Sequence, residues 1–297
     1  MSKRHYLSLF ACGLVILSLV YVNTPAAPYQ QGGLEQLFPG GKVPSLLNTR
    51  IDDYDIHYAL MPGADGTPLV FIHGSPGDWQ AWSHYLADPA LTGFGDRLAV
   101  DRPGFGASRN AGIMTDLAQQ AKLLAHLLPT DRPSILIAHS LGSPIAAWMA
   151  IQNPQLVCGV VSVAGSLAPS LEGMRWYNEL ATWKVLRPII PTPLLDSNRE
   201  IQALQRQLEK LDRAWPQLQR PLVVIQGLRD ELVNPATAEY LEDAVEPSLL
   251  AIERIPDQGH FILWESPNYI SDAIVKLNNT ACNNRKVQAE KATAATH

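Results

Sequence analysis

Six short runs constrain this chain more than anything else in it: TPLVFIHG, RLAVDRPG, PSILIAHS, VCGVVSVAG, PLVVIQG and SLLAIERIP. Each is close to continuously apolar, as a strand buried on both faces must be. Between and after them lie segments with apolar residues at helical spacing, among them DWQAWSHYLADPAL, MTDLAQQAKLLAHLL, LGSPIAAWMAIQ, PATAEYLEDAV and ESPNYISDAIVKL. Asp78 marks the start of the first of these, and Thr115 is the expected N-cap of the second. Strand–helix alternation of this kind predicts an α/β fold, a mostly parallel, doubly wound sheet with helices on both faces. Right-handed crossovers then align the C-terminal strand ends along one edge, where ligands bind. Ahead of these runs, RIDDYDIHYALMPG alternates as a half-buried strand pair would.

The flanks of this pattern set the domain organisation. Residues 6–22 carry no charge and follow Lys3 and Arg4, so residues 1–24 read as a signal anchor or a cleaved signal peptide. The basic flank predicts that the remainder is exported, either membrane-anchored through residues 6–22 or released to the periplasm or exterior. Residues 25–44 are rich in Gly and Pro and read as a linker. Residues 45–166 and 220–278 form the expected core, and 167–219 break the strand rhythm as a helical cap inserted after the sixth strand. Residues 279–297 are polar and aperiodic and read as a disordered tail. With a formal charge of −5 and no long basic run, a nucleic-acid partner is not expected. Cys12, Cys158 and Cys282 lack metal-type spacing, so no metal or cofactor is called for. Cys158 lies in an apolar run and reads as a buried small residue, so no Cys158–Cys282 disulfide is expected.

Within this frame ILIAHSLGSP is a strand, a sharp turn at Ser140 and the start of a helix. That is the arrangement of a nucleophile elbow, in which a strained turn lifts a serine hydroxyl above the sheet. Strand and helix approach closely there, so small residues are needed two before and two after the serine. Ala138 and Gly142 occupy those positions.

From about residue 45 to residue 278 the chain resembles the α/β-hydrolases. HGSPG at 73–77 is similar to the family's oxyanion loop, DRPGFGAS at 101–108 to its glycine-rich loop, and AHSLGS at 138–143 to its elbow. GLRDELVNP at 227–235 and QGHF at 258–261 resemble the loops that supply acid and histidine, in the family's order Ser, Asp, His. The resemblance implies a serine hydrolase with a catalytic triad of Ser140, Asp230 and His260. A serine hydroxyl needs a base to become a nucleophile. His260 follows the last strand and a glycine, and Asp230 follows the penultimate strand, from which it would hold the imidazole in the useful tautomer. Glu231 and Asp257 are the alternative acids. The oxyanion hole would use the backbone N–H groups of Ser75 and of Leu141 at the helix start. His73 is expected to shape the oxyanion loop, His139 to flank the elbow without acting as base, and Asp101 and Arg102 to organise their own loop.

A serine nucleophile implies acyl transfer, with a carboxylic ester or thioester of a small, largely apolar molecule as the expected substrate. Dehalogenases and epoxide hydrolases, which resemble this chain but carry an aspartate at the elbow, are disfavoured by Ser140. C–C bond hydrolases, aminopeptidases, perhydrolases and acyltransferases share the fold, and a non-catalytic ligand-binding protein on the same scaffold is the alternative from another class. In the cap, Met174, Trp176, Tyr177 and Trp183 serve packing or substrate contact. Ile201, Leu204, Leu208 and Leu211 make one apolar helix face, approached past Pro188, Pro191 and Pro193. That face predicts a narrow, dry and mostly apolar cavity over Ser140. Nothing in the sequence fixes the oligomeric state.

Overall fold

The computed structural model describes residues 31–39, 41–173, 178–179, 183 and 190–282. Its strands are β1 (Ser45–Ile51), β2 (Tyr54–Met61), β3 (Leu69–Ile72), β4 (Arg97–Val100), β5 (Ser134–His139), β6 (Val157–Val163), β7 (Leu222–Gly227) and β8 (Leu250–Ile255). They form a single sheet in the order β1-β2-β4-β3-β5-β6-β7-β8. The β1–β2 and β2–β4 pairs are antiparallel, and every pair from β4 across to β8 is parallel. The helices are α1 (Gln31–Leu37), α2 (Ser83–Ala87), α3 (Leu117–Leu124), α4 (Gly142–Gln152), α5 (Thr192–Asp212), α6 (Thr237–Ala244), α7 (Ile262–Glu265) and α8 (Pro267–Leu277).

Strand periodicity sorts the apolar residues into two cores, one on each face of the sheet. Val70, Ile72, Leu136, Ala138 and Val224 pack with α3, α4 and α6. Phe71, Ala99, Ile135, Ile137 and Ile225 pack on the other face with α2, α7 and α8. The expected doubly wound architecture is therefore the one present, and the near-continuous apolar character of the central strands follows from burial on both sides.

Four details depart from the sequence reading. The stretch expected to be a linker contains α1, which lays Leu34 and, just beyond it, Phe38 into the second core, with Phe38 stacked on Trp79 at 6.5 Å. Glycine and proline around it obscured two anchoring residues spaced one helical turn apart. The N-cap of α3 is Asp116 rather than Thr115, its carboxylate accepting from the Gln119 amide at 3.1 Å. The cap helix α5 starts at Thr192, well before its apolar face begins, because Pro193 falls in the first turn, where its missing N–H costs nothing.

The fourth departure is covalent. Cys158 and Cys282 form a disulfide, with their Cα atoms 5.4 Å apart. Residues 278–282 continue α8 as a wide turn rather than beginning a disordered tail, and bring Cys282 down beside the start of β6. The burial of Cys158 is no obstacle to pairing, because Cys282 is buried against the same face. Among the described residues no helix is long and apolar enough to cross a membrane, and residues 6–22 lie outside them.

Candidate active site

Parallel strands deliver five loops to one edge of the sheet. His73 to Gly77 follow β3, Asp101 to Ser108 follow β4, Ser140 follows β5, and Asp230 and His260 follow β7 and β8. Ser140 has a φ of 52°, in the left-handed region where a side chain is costly. Its amide donates to Val163 at 3.0 Å and its carbonyl accepts from Ser143 and Ser166, so the turn is fixed on both sides. The elbow leaves almost no room. A Cβ on Gly142 would stand 2.6 Å from the carbonyl oxygens of Ile72 and His73, and one on Gly74 would stand 3.0 Å from Ser140 Cβ. Ala138, in place of the usual glycine, is accommodated fully buried within β5.

His260 and Asp230 meet across the β7–β8 loops. His260 Nδ1–H donates to Asp230 Oδ2 at 2.9 Å. A carboxylate oxygen can only accept, so Nδ1 carries the hydrogen and Nε2 presents a lone pair. The other carboxylate oxygen, Oδ1, accepts from the amides of Leu232 and Val233, both at 2.8 Å. Of the alternative acids, Asp257 is exposed and paired with Arg229. Glu231 is exposed, beside the buried Asp230.

Ser140 is linked to this pair through its neighbour. His139 Nε2–H donates to the carbonyl oxygen of His260 at 3.0 Å, and the two rings lie 4.8 Å apart. Burial, followed by the proximity of His260, lowers the His139 pKa to about 3, so its ring is neutral. Among the described residues Ser140 Oγ has no hydrogen bond to His260. Such contacts often tighten only when substrate is bound.

The loop after β3 packs directly against Ser140. His73 Nε2 accepts from the Arg102 amide at 3.0 Å, and Nδ1–H donates to the Gly74 carbonyl at 2.7 Å. Burial and the nearby Arg102 charge hold His73 well below the usual histidine pKa, consistent with this neutral tautomer. Ser75 Oγ is shielded from solvent and has no hydrogen-bond partner among the described residues. Leu141 is the N-cap of α4, so its N–H belongs to the set at a helix start that has no intrahelical acceptor. Asp101 accepts from Trp79 N–H, His57 Nδ1–H and Ala107 N–H, and a Cβ on Gly106 (φ 51°) would collide with its carboxylate.

The cap corrects the expected picture. Leu204, Leu208 and Leu211 of α5 are buried against the core of α3 and α4, so this face packs on protein. The part of α5 nearer its N-terminus buries polar residues instead: Asp196, Ser197, Asn198 and Glu200. Glu200 makes a fully buried, two-pronged ion pair with Arg102. A charged pair thus reaches, through Arg102, the 73–77 loop beside Ser140, where a mostly apolar surrounding was expected. Trp183 is 56% exposed, not packed into a cap interior, and Trp176 and Tyr177 lie outside the described residues. Sequence reasoning passed over Phe261 and Trp264, which form an exposed aromatic pair 5.9 Å apart beside His260 and His139. Their signal was present in QGHFILWE, directly after the histidine.

A cavity of about 210 Å³ lined by Tyr58, Leu60, Val70 and Leu98 lies at the opposite ends of the strands, away from Ser140. Among the described residues no cluster of three His, Cys, Asp or Glu could hold a metal ion.

A sequence model described as the alpha/beta hydrolase family matches residues 69–273. The chain is 25% identical over 245 residues to a dihydrolipoyllysine-residue acetyltransferase component of an acetoin cleaving system from Pseudomonas putida, covering 72% of this chain and 64% of that one. It is 35% identical over 104 residues to a pimeloyl-[acyl-carrier protein] methyl ester esterase from Sodalis glossinidius, covering 35% and 38%. It thus spans under two thirds of these curated relatives. Among solved structures, a membrane phospholipase A superposes with a TM-score of 0.60 at 20% identity, covering 94% of this chain and 98% of that one.

Proposed function

The chain belongs to the alpha/beta hydrolase family, and we propose that it is a serine hydrolase that cleaves a carboxylic ester or thioester of a small, largely apolar molecule through an acyl-enzyme. One observation carries the reading: Ser140 sits on a left-handed strand-to-helix turn, and its neighbour His139 is bonded to a histidine already oriented by Asp230. Ser140 Oγ attacks the carbonyl carbon while His260 Nε2 takes its proton. The carbonyl π pair moves onto oxygen, held by the N–H groups of Ser75 and Leu141. The tetrahedral species collapses, the alkoxide or thiolate leaves with the proton from His260, and water repeats the sequence on the acyl-enzyme. Asp230 holds the imidazole tautomer and stabilises the imidazolium.

Labelling with a fluorophosphonate probe tests the nucleophile: one label per chain, at Ser140, is expected, and an unlabelled native protein favours a non-catalytic ligand-binding role. The substrate class is tested by kcat/KM across p-nitrophenyl esters from acetate to palmitate, alongside charged esters of equal size. Each methylene that fits contributes up to ~0.8 kcal/mol until the pocket is full; a flat profile, or a preference for charged esters, removes the apolar-substrate reading. Residues 6–22 direct export in this proposal, and the Cys158–Cys282 disulfide suits an oxidising compartment. Alkaline carbonate extraction separates an anchored protein from a released one, and full-length protein in the cytosol refutes export.

A further inference from the structure

The cap helix is bonded to the oxyanion loop through one buried guanidinium. Arg102 and Glu200 are 0% and 1% exposed at their side chains. Arg102 Nη1–H donates to Glu200 Oε1 at 2.7 Å and Nη2–H donates to Oε2 at 3.0 Å, the fork-to-fork geometry that fixes both planes. Gln120 of α3 closes the cluster, accepting from Arg102 at 3.1 Å and donating to Glu200 at 3.1 Å. The remaining prong matters most. Arg102 Nη2–H also donates to the carbonyl oxygen of Gly74 at 2.8 Å, on the loop that abuts Ser140.

That carbonyl is therefore held by two donors, Arg102 and the His73 ring. The peptide bond between Gly74 and Ser75 is trans, and a planar trans peptide points its C=O and its N–H in opposite directions. Pinning the Gly74 oxygen towards Arg102 consequently turns the Ser75 N–H away from it. Glu200 lies 98 residues beyond Arg102 in sequence, on a helix outside the core sheet.

We propose that Glu200 is a positioning residue: from the cap helix it fixes Arg102, which fixes the Gly74 peptide and so aims the Ser75 N–H at the developing oxyanion. This inference rests on the serine-hydrolase reading above. A cap tied in this way does more than cover a pocket, since displacing α5 misdirects the oxyanion donor, and full activity requires α5 to be seated.

The test uses the full chain. kcat and KM are measured with a p-nitrophenyl ester, together with the affinity of a matched trifluoromethyl ketone. The ketone carbonyl accepts Ser140 Oγ, the proton passes to His260, and the ketone oxygen becomes the oxyanion, so its affinity reports the hole directly. Glu200→Gln is expected to lower kcat about ten- to a hundredfold with KM within about twofold, and to weaken the ketone by the factor lost in kcat/KM. Because that variant leaves a buried cation uncompensated, the triple variant Arg102→Met, Gln120→Leu, Glu200→Leu provides the second arm. Replacing a buried ionic cluster by apolar residues preserves stability in other proteins. The triple variant is expected to melt near the native temperature yet remain slow, with a weakened ketone. Native activity in a stable triple variant would overturn the proposal, as would a Glu200→Gln defect confined to KM. If the ketone fails to bind the native protein and Ser140→Ala retains turnover, it is the hydrolase reading that fails.

Discussion

His139 Nε2–H donates to the backbone oxygen of His260, so the residue before the elbow serine and the histidine on the last strand loop are fixed to one another across 121 positions of sequence. Burial, followed by the proximity of His260, lowers the His139 pKa from 6.5 to about 3, even though this bond by itself favours the charged ring. In the unfolded chain His139 takes a proton near pH 6.5; in the folded protein it does not until about pH 3. The unfolded state therefore binds more protons in that window, and stability falls as pH drops from about 6.5 towards 3. One such proton is worth about 1.4 kcal/mol per pH unit. His139→Gln keeps an N–H donor and loses the titration. Urea unfolding between pH 4 and 7 is expected to show a slope reduced by about one proton, with the contribution of His73, which has the same sign, still present. An unchanged slope would remove His139 from the acid response.

The left-handed conformation of Ser140 separates function from stability at one position. Ser140→Ala is expected to lower turnover on the ~10⁶-fold scale of losing a triad nucleophile, with the fall in kcat and folding nearly unchanged. Ser140→Gly is expected to be equally inactive but more stable, because glycine adopts a φ of 52° without steric cost. The gain is about 1 kcal/mol, the lower end of the left-handed penalty. Urea denaturation of both variants checks it. A Ser140→Ala variant with a tenth of native activity would end the nucleophile assignment.

The two carboxylates near His260 give a paired test. Asp230 has one oxygen on His260 Nδ1–H and the other on two backbone amides. Asp230→Asn presents a donor where the imidazole also donates, which disfavours the useful tautomer, and a loss of about 10⁴ in kcat is expected. Asp257 is exposed and bonded only to Arg229 among the described contacts, and exposed pairs contribute little. Asp257→Asn is expected to leave kcat within about twofold. A crippled Asp257→Asn with a healthy Asp230→Asn would reverse the assignment of the acid.

What was legible in the sequence follows from the range of the signals involved. The sheet, the elbow and the neighbours of Ser140 are encoded locally, in apolar runs and in the small residues at 138 and 142. The juxtaposition of Asp230 and His260 follows once their strands are neighbours, because strand ends fix loop positions. The Arg102–Glu200 pair has no such signal: its partners stand 98 positions apart, and a single buried charge carries no periodicity. The apolar face of α5 was visible, but a pattern of leucines states that a face is buried without stating against what. The structure resolves this in favour of α3 and α4 for Leu204, Leu208 and Leu211, and leaves Glu200 of α5 to pair with Arg102, which bonds the Gly74 carbonyl.

The disulfide is expected to govern stability while leaving the chemistry alone. Cys158 lies at the N-terminal end of β6 and Cys282 just beyond α8, so the bridge sits at the end of the sheet opposite Ser140. It closes a loop with a sequence separation of 124, long enough for the unfolded chain to lose considerable freedom when cross-linked. Chain-entropy scaling puts the loss on removal at ~2–5 kcal/mol, less whatever structure the reduced unfolded chain retains. Cys282→Ser, or reduction of the native protein, is therefore expected to lower the urea midpoint markedly, with a somewhat steeper denaturant slope because the released unfolded chain exposes more surface. Because β6 and α8 remain packed through Val161, Ile274 and Leu277, kcat under fully native conditions is expected to stay within about twofold. Denaturant titrations with and without reductant, each paired with an ester assay at low temperature, separate the two effects. A fall in kcat on reduction while the protein remains folded would show that the bridge reaches the active edge, and an unshifted midpoint would show that packing alone secures the C-terminal turn.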